Sequence, residues 1–350
     1  MILFAPSVGV GGGLVLLRSV LHGWAERGRL TAILDERGRG AIGAIADQHD
    51  VTWVSSDFAG RWRAERMLAQ KARDDVVVLC IHNVPPVLPV AGRIICFVQN
   101  ANLVGLVPLA RVSNRMRLRF RIQQVIARGF RKRVDDYLVQ TPTMAAALAH
   151  WYGLGAPPIH IVPFLDIAEL KQGIRKRGAA EVHWDFLYVS DGAAHKNHRR
   201  LFQAWRLLAE QGEFPTLALT LHPERDMALC QELAALVERH ALRIEDLGQM
   251  PHEELLQTYH RAGALLFPSF AESFGIPLIE AAIAGLPILA PELDYVRDIC
   301  DPAETFDPCS ERSIARAVRR FLHGGSDRLS MRTPAQFIET VMQIAARPLK

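Results

Sequence analysis

Two rhythms of apolar and polar residues alternate along the chain. Short, mostly apolar runs, ILFAPSV from Ile2, LTAILDE from Leu30, DVTWVSS from Asp50, DVVVLCIH from Asp75 and RIICFVQ from Arg93, are separated by polar or helix-spaced segments. Such runs predict parallel strands covered by helices. The alternation returns in DDYLVQT, IHIVPF, DFLYVS, TLALTLHP, GALLF and PILAPEL, so the whole chain reads as α/β. Thr141 and Pro142 supply the cap and first residue of a helix over PTMAAALAHWYG. The polar, unpatterned KQGIRKRGAA closes a span from Phe164 to Ala180 that predicts a domain boundary.

The 350 residues suit two domains. The expected division is 1–165, 166–332 and a terminal helix at 333–350, capped by Thr333, with Pro334 first and Ile338, Val341 and Met342 on one face. PILAPEL and DYVRDIC are expected as the last strand and helix of the second sheet. Ligands of such sheets bind beyond the carboxyl ends of strands, which points to His82, Asn83, Gln99, Asn100 and the glycine loop Gly9, Gly11, Gly12 and Gly13. These glycines lack the G-x-G-x-x-G spacing of a dinucleotide fingerprint.

The stretch from Phe267 to Gly285 carries the most chemistry. Pro268 ends the strand GALLF, Gly275 permits a tight bend, and Pro277 suits the first position of a helix stopped by Gly285 and Pro287. Free amides and the positive end of the helix dipole make such a start an anion site. Glu272 and Glu280 bracket it, which suits a ligand with hydroxyls at both ends of a diphosphate, such as a nucleotide sugar.

FPSFAESFGIPLIEAAIAGLPILA resembles the E-x7-E signature of retaining glycosyltransferases of the group 1 type (family 4), with Glu272 and Glu280 on its acidic positions. YVSDGAAHKNHRRLFQAW, GQMPHEELLQTYHRAGALLFPS and PELDYVRDIC resemble further parts of that family, in its order and spacing. YLVQTPTMAAAL and IHIVPF are similar to its interdomain region. The resemblance implies the GT-B fold, two Rossmann-like doubly wound domains facing a cleft, acceptor in the first and donor in the second. It also implies a terminal helix that crosses back onto the first domain.

As implied, Glu272 holds sugar hydroxyls, Glu280 the ribose, and Lys196 with Asn197 the diphosphate. Amides across Ser273, Phe274, Gly275, Ile276 and Leu278 meet phosphate and sugar, Gln249 and Met250 the base, and Gly12 the donor or acceptor. Gln99, beside Asn100, stands where relatives often carry a sugar-contacting histidine; an amide can hydrogen-bond but cannot act as a base near neutral pH. The arginine that many relatives carry near Ser190 or Asp191 is lacking, leaving either Arg199 or Arg200 to compensate or a weaker grip on phosphate. Catalysis then rests chiefly on Glu272, Lys196 and Gln99, through positioning and charge stabilisation.

Charge adds a second feature to this picture. The net charge is only +4, yet no acidic residue lies between Asp75 and Asp135, and arginines crowd RVSNRMRLRFRIQQVIARGFRKRV from Arg111. As a helix, this stretch puts Leu118, Ile122, Val125, Ile126 and Phe130 on one face. Arg115, Arg117, Arg119, Arg121, Arg128, Arg131, Lys132 and Arg133 then populate the others, a pattern suited to anionic lipid. An ordinary solvated amphipathic helix is the competing reading; a nucleic-acid surface is disfavoured by the few stacking aromatics.

No run is long enough to cross a bilayer and no signal-peptide pattern follows Met1, so a cytoplasmic chain peripheral to the inner face of the membrane is expected. Five cysteines without a C-x-x-C pair point away from disulfides and zinc. His252, Glu253 and Glu254 are expected to be a helix-capping cluster. No D-x-D pair is arranged for manganese, and no metal or cofactor is expected. The full expectation is a retaining transfer of a hexose, with mannose slightly favoured, from a nucleotide-diphosphate sugar to a glycan or lipid-linked acceptor in O-antigen or capsule synthesis. The alternatives are a nucleotide-sugar epimerase or a phosphorylase of the same fold, the latter needing pyridoxal phosphate, and a non-catalytic membrane-surface, glycan-binding subunit.

Overall fold

A computed structural model describes residues 1–25, 27–106, 114–153, 155–174 and 182–324. The expected terminal helix at 333–350 and the side chain of Arg115 lie outside the described residues. Among the described residues the eleven apolar runs become strands, and β10 and β13 join them to make thirteen in two sheets, β1 to β7 in the first and β8 to β13 in the second.

The first sheet contains β1 (Ile2–Ala5), β2 (Thr31–Asp35), β3 (Asp50–Val54), β4 (Val77–Cys80), β5 (Arg93–Phe97), β6 (Asp136–Val139) and β7 (Ile159–Ile161), in the order 3-2-1-4-5-6-7. All its pairs are parallel. Helices α1 (Gly12–Ala25) and α2 (Arg39–Ala46) bury Leu16, Leu17, Leu21 and Ile42 on one side. Helices α3 (Phe58–Lys71), α4 (Asn114–Gly129) and α5 (Pro142–Tyr152) bury Ala64, Leu68, Ala127, Met144 and Leu148 on the other. Crossovers that reverse direction after β3 require this change of face. Thr141 caps α5 by accepting from Met144 N–H, with Pro142 at its start.

The second sheet runs β10 (Ile244–Asp246), β9 (Leu217–Leu219), β8 (Trp184–Tyr188), β11 (Ala262–Leu266), β12 (Ile288–Pro291) and β13 (Glu304–Phe306), again all parallel. Helix α7 (His198–Glu210) covers it with Leu201, Phe202, Trp205 and Leu208. Helices α8 (Met227–His240), α9 (His252–Thr258), α10 (Ile276–Ile283) and α11 (Asp294–Arg297) complete the pattern up to the expected last helix.

The sheet does not end there. β13 and α12 (Glu311–His323) follow, and α12 buries Ile314, Ala315, Ala317 and Val318. A three-residue strand is too short to show a period, but the helix was signalled by Ser310, which caps it by accepting from Ser313 N–H. A second correction concerns the unpatterned stretch: its first part belongs to helix α6 (Ile167–Gly173), and Leu170 and Ile174 join the second core.

Candidate active site

The stretch around Glu272 is gripped from both domains. Ala271 packs into a core cluster of the first domain and Ile276 lies against another. Thr141 Oγ1 donates to the Ser273 carbonyl at 3.4 Å, and Thr143 N–H donates to Asp298 Oδ2 at 3.0 Å. A Cβ placed on Gly12 would stand 3.3 Å from Ile276 Cδ1. The glycine loop and the expected donor loop are therefore neighbours across the cleft, and a larger side chain at residue 12 would press on both.

The bend before α10 is built as its residues require. Gly275 sits at φ +69° as the helix N-cap, where a side chain would be strained and a Cβ would crowd Leu278 Cδ1 at 3.1 Å. Pro277 occupies the second helical position, one later than expected, because Ile276 already belongs to the helix. Leu278 N–H bonds to the Gly275 carbonyl, so it is not a free phosphate donor here. Pro277 has none to give; among the described residues the N–H groups of Gly275 and Ile276 remain uncommitted.

Lys196 reaches Glu272 through a built turn. Tyr188 Oη donates to the Lys196 carbonyl at 2.6 Å and lies 3.3 Å from Ser269 Oγ. Phe270 N–H donates to the His195 carbonyl at 2.8 Å, and Tyr295 Oη donates to the Ser269 carbonyl at 2.7 Å. Asn197, at φ +66°, donates its side-chain amide to the carbonyls of Pro268 and Pro308 at 3.1 and 2.8 Å. Its side-chain amide therefore ties two loops together, while its backbone N–H donates to the Ala194 carbonyl at 3.3 Å and its carbonyl accepts from Leu201 N–H at 3.2 Å. Held this way, Lys196 Nζ donates to both Glu272 oxygens, at 2.7 and 2.9 Å, with side chains 15% and 11% exposed. Burial pushes the Tyr188 phenol well above its ordinary range, so its proton stays on as the turn's donor.

Glu280 is 2% exposed and both its oxygens are engaged. His252 Nε2 lies 2.7 Å from Oε1, and Tyr259 Oη donates to Oε2 at 2.7 Å. His252 is thus more than a capping residue, a correction to the sequence reading. Its contact spans 28 positions and leaves no local pattern. Gln249 is exposed and Met250 half-buried immediately before this helix, beyond the carboxyl end of β10. The loop thus leads directly to the Glu280 network.

Across the cleft, a Cβ on Gly13 would meet Gln99 Oε1 at 3.4 Å, while Gln99 Nε2 is buried without a partner among the described residues. An unsatisfied buried donor costs about 1–3 kcal/mol. A ligand hydroxyl placed there would relieve it. His82 donates from Nδ1 to the Phe4 carbonyl at 3.2 Å, which leaves Nε2 as an acceptor with no partner among the described residues. Burial, and then the Arg61 charge, hold this ring neutral. The two arginines considered as substitutes for the missing one are engaged elsewhere: Arg199 with Glu232 at 2.7 Å, and Arg200 with Glu311 at 2.8 Å. Among the described residues, no three His, Cys, Asp or Glu side chains gather as a metal-binding group.

The first turn of α7 also carries His198, whose Nε2 is 3.2 Å from Ser190 Oγ. Burial brings its pKa down to about 3. Below pH 6.5 the unfolded chain takes up a proton that the folded chain refuses, so stability falls as pH drops, by about 1.4 kcal/mol per unit from this group. His82 and His195 are shifted in the same direction. The expected result is that His198→Asn flattens the loss of stability between pH 7 and pH 5 by about 2 kcal/mol in urea unfolding. An unchanged pH dependence in that variant would refute the assignment.

Residues 171–337 match the family described as "Glycosyl transferases group 1", and the C-terminal domain belongs to that family. The two parallel sheets have the GT-B fold of glycosyltransferases. HepE from Anabaena, solved with UDP and glucose, superposes with a TM-score of 0.63 at 15% identity, covering 92% of this chain and 89% of that one. Among curated proteins, O-antigen chain mannosyltransferase B of Escherichia coli is 30% identical over 40% of this chain. The serotype-specific mannosyltransferase WbdA of Escherichia coli is 24% identical over 77% of it. The chain spans 37% of the length of the former and 36% of the latter.

Proposed function

We propose that the chain transfers a hexosyl unit, with retention of configuration, from a nucleotide-diphosphate sugar to a glycan or lipid-linked acceptor at the inner face of the cytoplasmic membrane. The observation that carries this reading is the convergence of Lys196, Glu272 and Glu280 on the start of α10, opposite the glycine loop. Lys196 and the amides of Gly275 and Ile276 receive the diphosphate, where positive charge and hydrogen bonds meet the leaving group. Glu280 receives the ribose, held rigid by His252 and Tyr259. Glu272 accepts from sugar hydroxyls, and Gln99 supplies a donor from the other domain. Neither carboxylate serves as a nucleophile: positioning and charge stabilisation account for the rate, and no metal is required.

Mannose is the favoured sugar because both Escherichia coli relatives are named as mannosyltransferases, one of the O-antigen chain. UDP stays in the comparison because HepE was solved with it. Lipid-linked polysaccharide synthesis fits both the relatives' names and the basic helix α4. The test is incubation with radiolabelled GDP-mannose and UDP-sugars over membrane extracts, with the product anomer read by NMR. Label in a glycolipid with the donor's anomeric configuration is expected. Transfer with inversion, or no transfer from any donor, would overturn the proposal.

A further inference from the structure

Helix α4 is built with its apolar stripe facing outward. It buries Phe120 and Ala127, while Leu118, Ile122 and Val125 are 61%, 52% and 72% exposed. Gln124 anchors the inner side by donating to the carbonyls of Asn102 and Leu103. The basic side chains divide in the same way. Arg119, Arg121 and Lys132 are exposed, whereas Arg133 stacks on Phe130 and donates to the carbonyl of Val87. Arg128 stacks on Trp151.

A second outward apolar pair lies on the same layer of the first domain. Phe58 is 86% and Trp62 45% exposed, four residues apart in the first turns of α3. Arg63 and Arg66 are exposed beside them; Glu65, within the helix, is buried and bonded to Arg61 and to the N–H groups of Val87 and Leu88, while the exposed N-cap Asp57 accepts from Ser55 and from Gly60 N–H. The connection between β4 and β5 is thus tied to α3 by Glu65 and, by Arg133, to the turn Arg131–Arg133 that follows α4. It carries the half-buried Val87, Leu88 and Val90 and the exposed Pro89 between the two helices. Exposed apolar residues on one layer mark an interaction surface, and exposed arginines that outnumber the single exposed carboxylate beside them, the N-cap Asp57, specify an anionic partner.

We infer that α3 and α4 form one two-point docking face for an anionic lipid bilayer, with Phe58 and Trp62 inserted as a second anchor beside Leu118, Ile122 and Val125. This inference deepens the reading of a membrane-borne acceptor and rests on it. Both helices begin beyond the carboxyl ends of their strands, the sheet edge that carries the glycine loop and Gln99. A bilayer held at two points there fixes the cleft mouth relative to the membrane plane. One helix alone would leave the domain free to roll about its axis. Trp and Phe suit the headgroup boundary because their rings are apolar and, in Trp, carry a polar edge.

The test is sedimentation of the full chain with vesicles of phosphatidylcholine alone and of phosphatidylcholine mixed with phosphatidylglycerol. Phe58→Ser/Trp62→Ser is expected to lower partitioning onto the anionic vesicles about tenfold. Phe58→Ser alone, at a nearly fully exposed position, should give part of that loss with an unchanged melting temperature. Phe214→Ser removes an exposed aromatic of the second domain and should change nothing. Wild-type protein that ignores anionic vesicles, equal losses in the Phe58 and Phe214 variants, or preference for an oligonucleotide over vesicles would overturn the inference. Nucleotide-sugar binding measured on the same samples separates the two readings. Vesicle binding without it sinks the transferase reading and spares the docking face; the converse does the opposite.

Discussion

Glu272→Gln is expected to bind a free nucleoside diphosphate more tightly than the wild type, by about threefold to tenfold, while sugar transfer falls about a hundredfold or more. Lys196 Nζ commits two of its three hydrogens to the Glu272 oxygens when no ligand is present, at 2.7 and 2.9 Å. A diphosphate must draw that ammonium against a carboxylate that is 11% exposed and weakly screened by water. Neutralising the carboxylate removes the competitor, so the phosphates gain. The sugar loses, because an amide offers one acceptor oxygen where the carboxylate offers two. A nucleotide sugar does better on the native protein because its hydroxyls can replace Lys196 as donors to Glu272, freeing the lysine for phosphate. Titration calorimetry with nucleoside diphosphate and nucleotide sugar, on both proteins, measures the two opposite changes. Weaker or unchanged nucleoside diphosphate binding by Glu272→Gln would refute the exchange.

The second large effect concerns the network around Glu280. Tyr259→Phe leaves Oε2 of a buried carboxylate without its donor, and His252→Ala does the same to Oε1. Each is expected to cost about 1–3 kcal/mol of stability and to weaken nucleotide binding about tenfold, although neither residue is expected to touch the sugar. Glu280→Gln should cost less than either, since its oxygen still accepts from Tyr259 and its NH2 can donate to His252 Nε2 in the other tautomer. The double variant Tyr259→Phe/His252→Ala should fall short of the sum of the single effects, because both act through the same carboxylate. Nucleoside affinity left intact by both single variants would mean that Glu280 supports the fold of α10 and does not hold the ribose.

Eleven of the strands are legible because parallel strands buried on both faces are mostly apolar along their length, as ILFA, AILD and AGALL show, whereas the three-residue β10 and β13 are too short to show it. The bend at Gly275 and the cap at Thr141 were legible for local reasons, a residue able to take positive φ and a side chain within reach of its own helix start. Long-range pairing was not. Lys196 meets Glu272 across 76 positions, and His252 meets Glu280 across 28, so no spacing announces either pair. Asn197 shows the same limit from the other side: no spacing announces that its side-chain amide joins Pro268 to Pro308. In α4 the periodicity established an apolar stripe but not which way it faces. Phe120 and Ala127 settle that by being the residues that pack inward.

The basic helix and the apolar pair on α3 bear on where the reaction takes place, while the cleft bears on what the reaction is. Among the described residues no helix is long and apolar enough to cross a membrane.

The central claim, that Lys196, Glu272 and Glu280 together hold a nucleotide-diphosphate sugar, is tested most directly by the melting temperature of the purified protein against a panel of GDP-, UDP-, dTDP- and ADP-sugars. The measurement is repeated with Lys196→Ala and Glu280→Ala. A ligand bound to the folded state raises the melting temperature by mass action. The account predicts a shift for one nucleotide, lost in both variants, which also names the base. A shift that survives in both variants would contradict the site, and no shift for any member of the panel would contradict the donor itself.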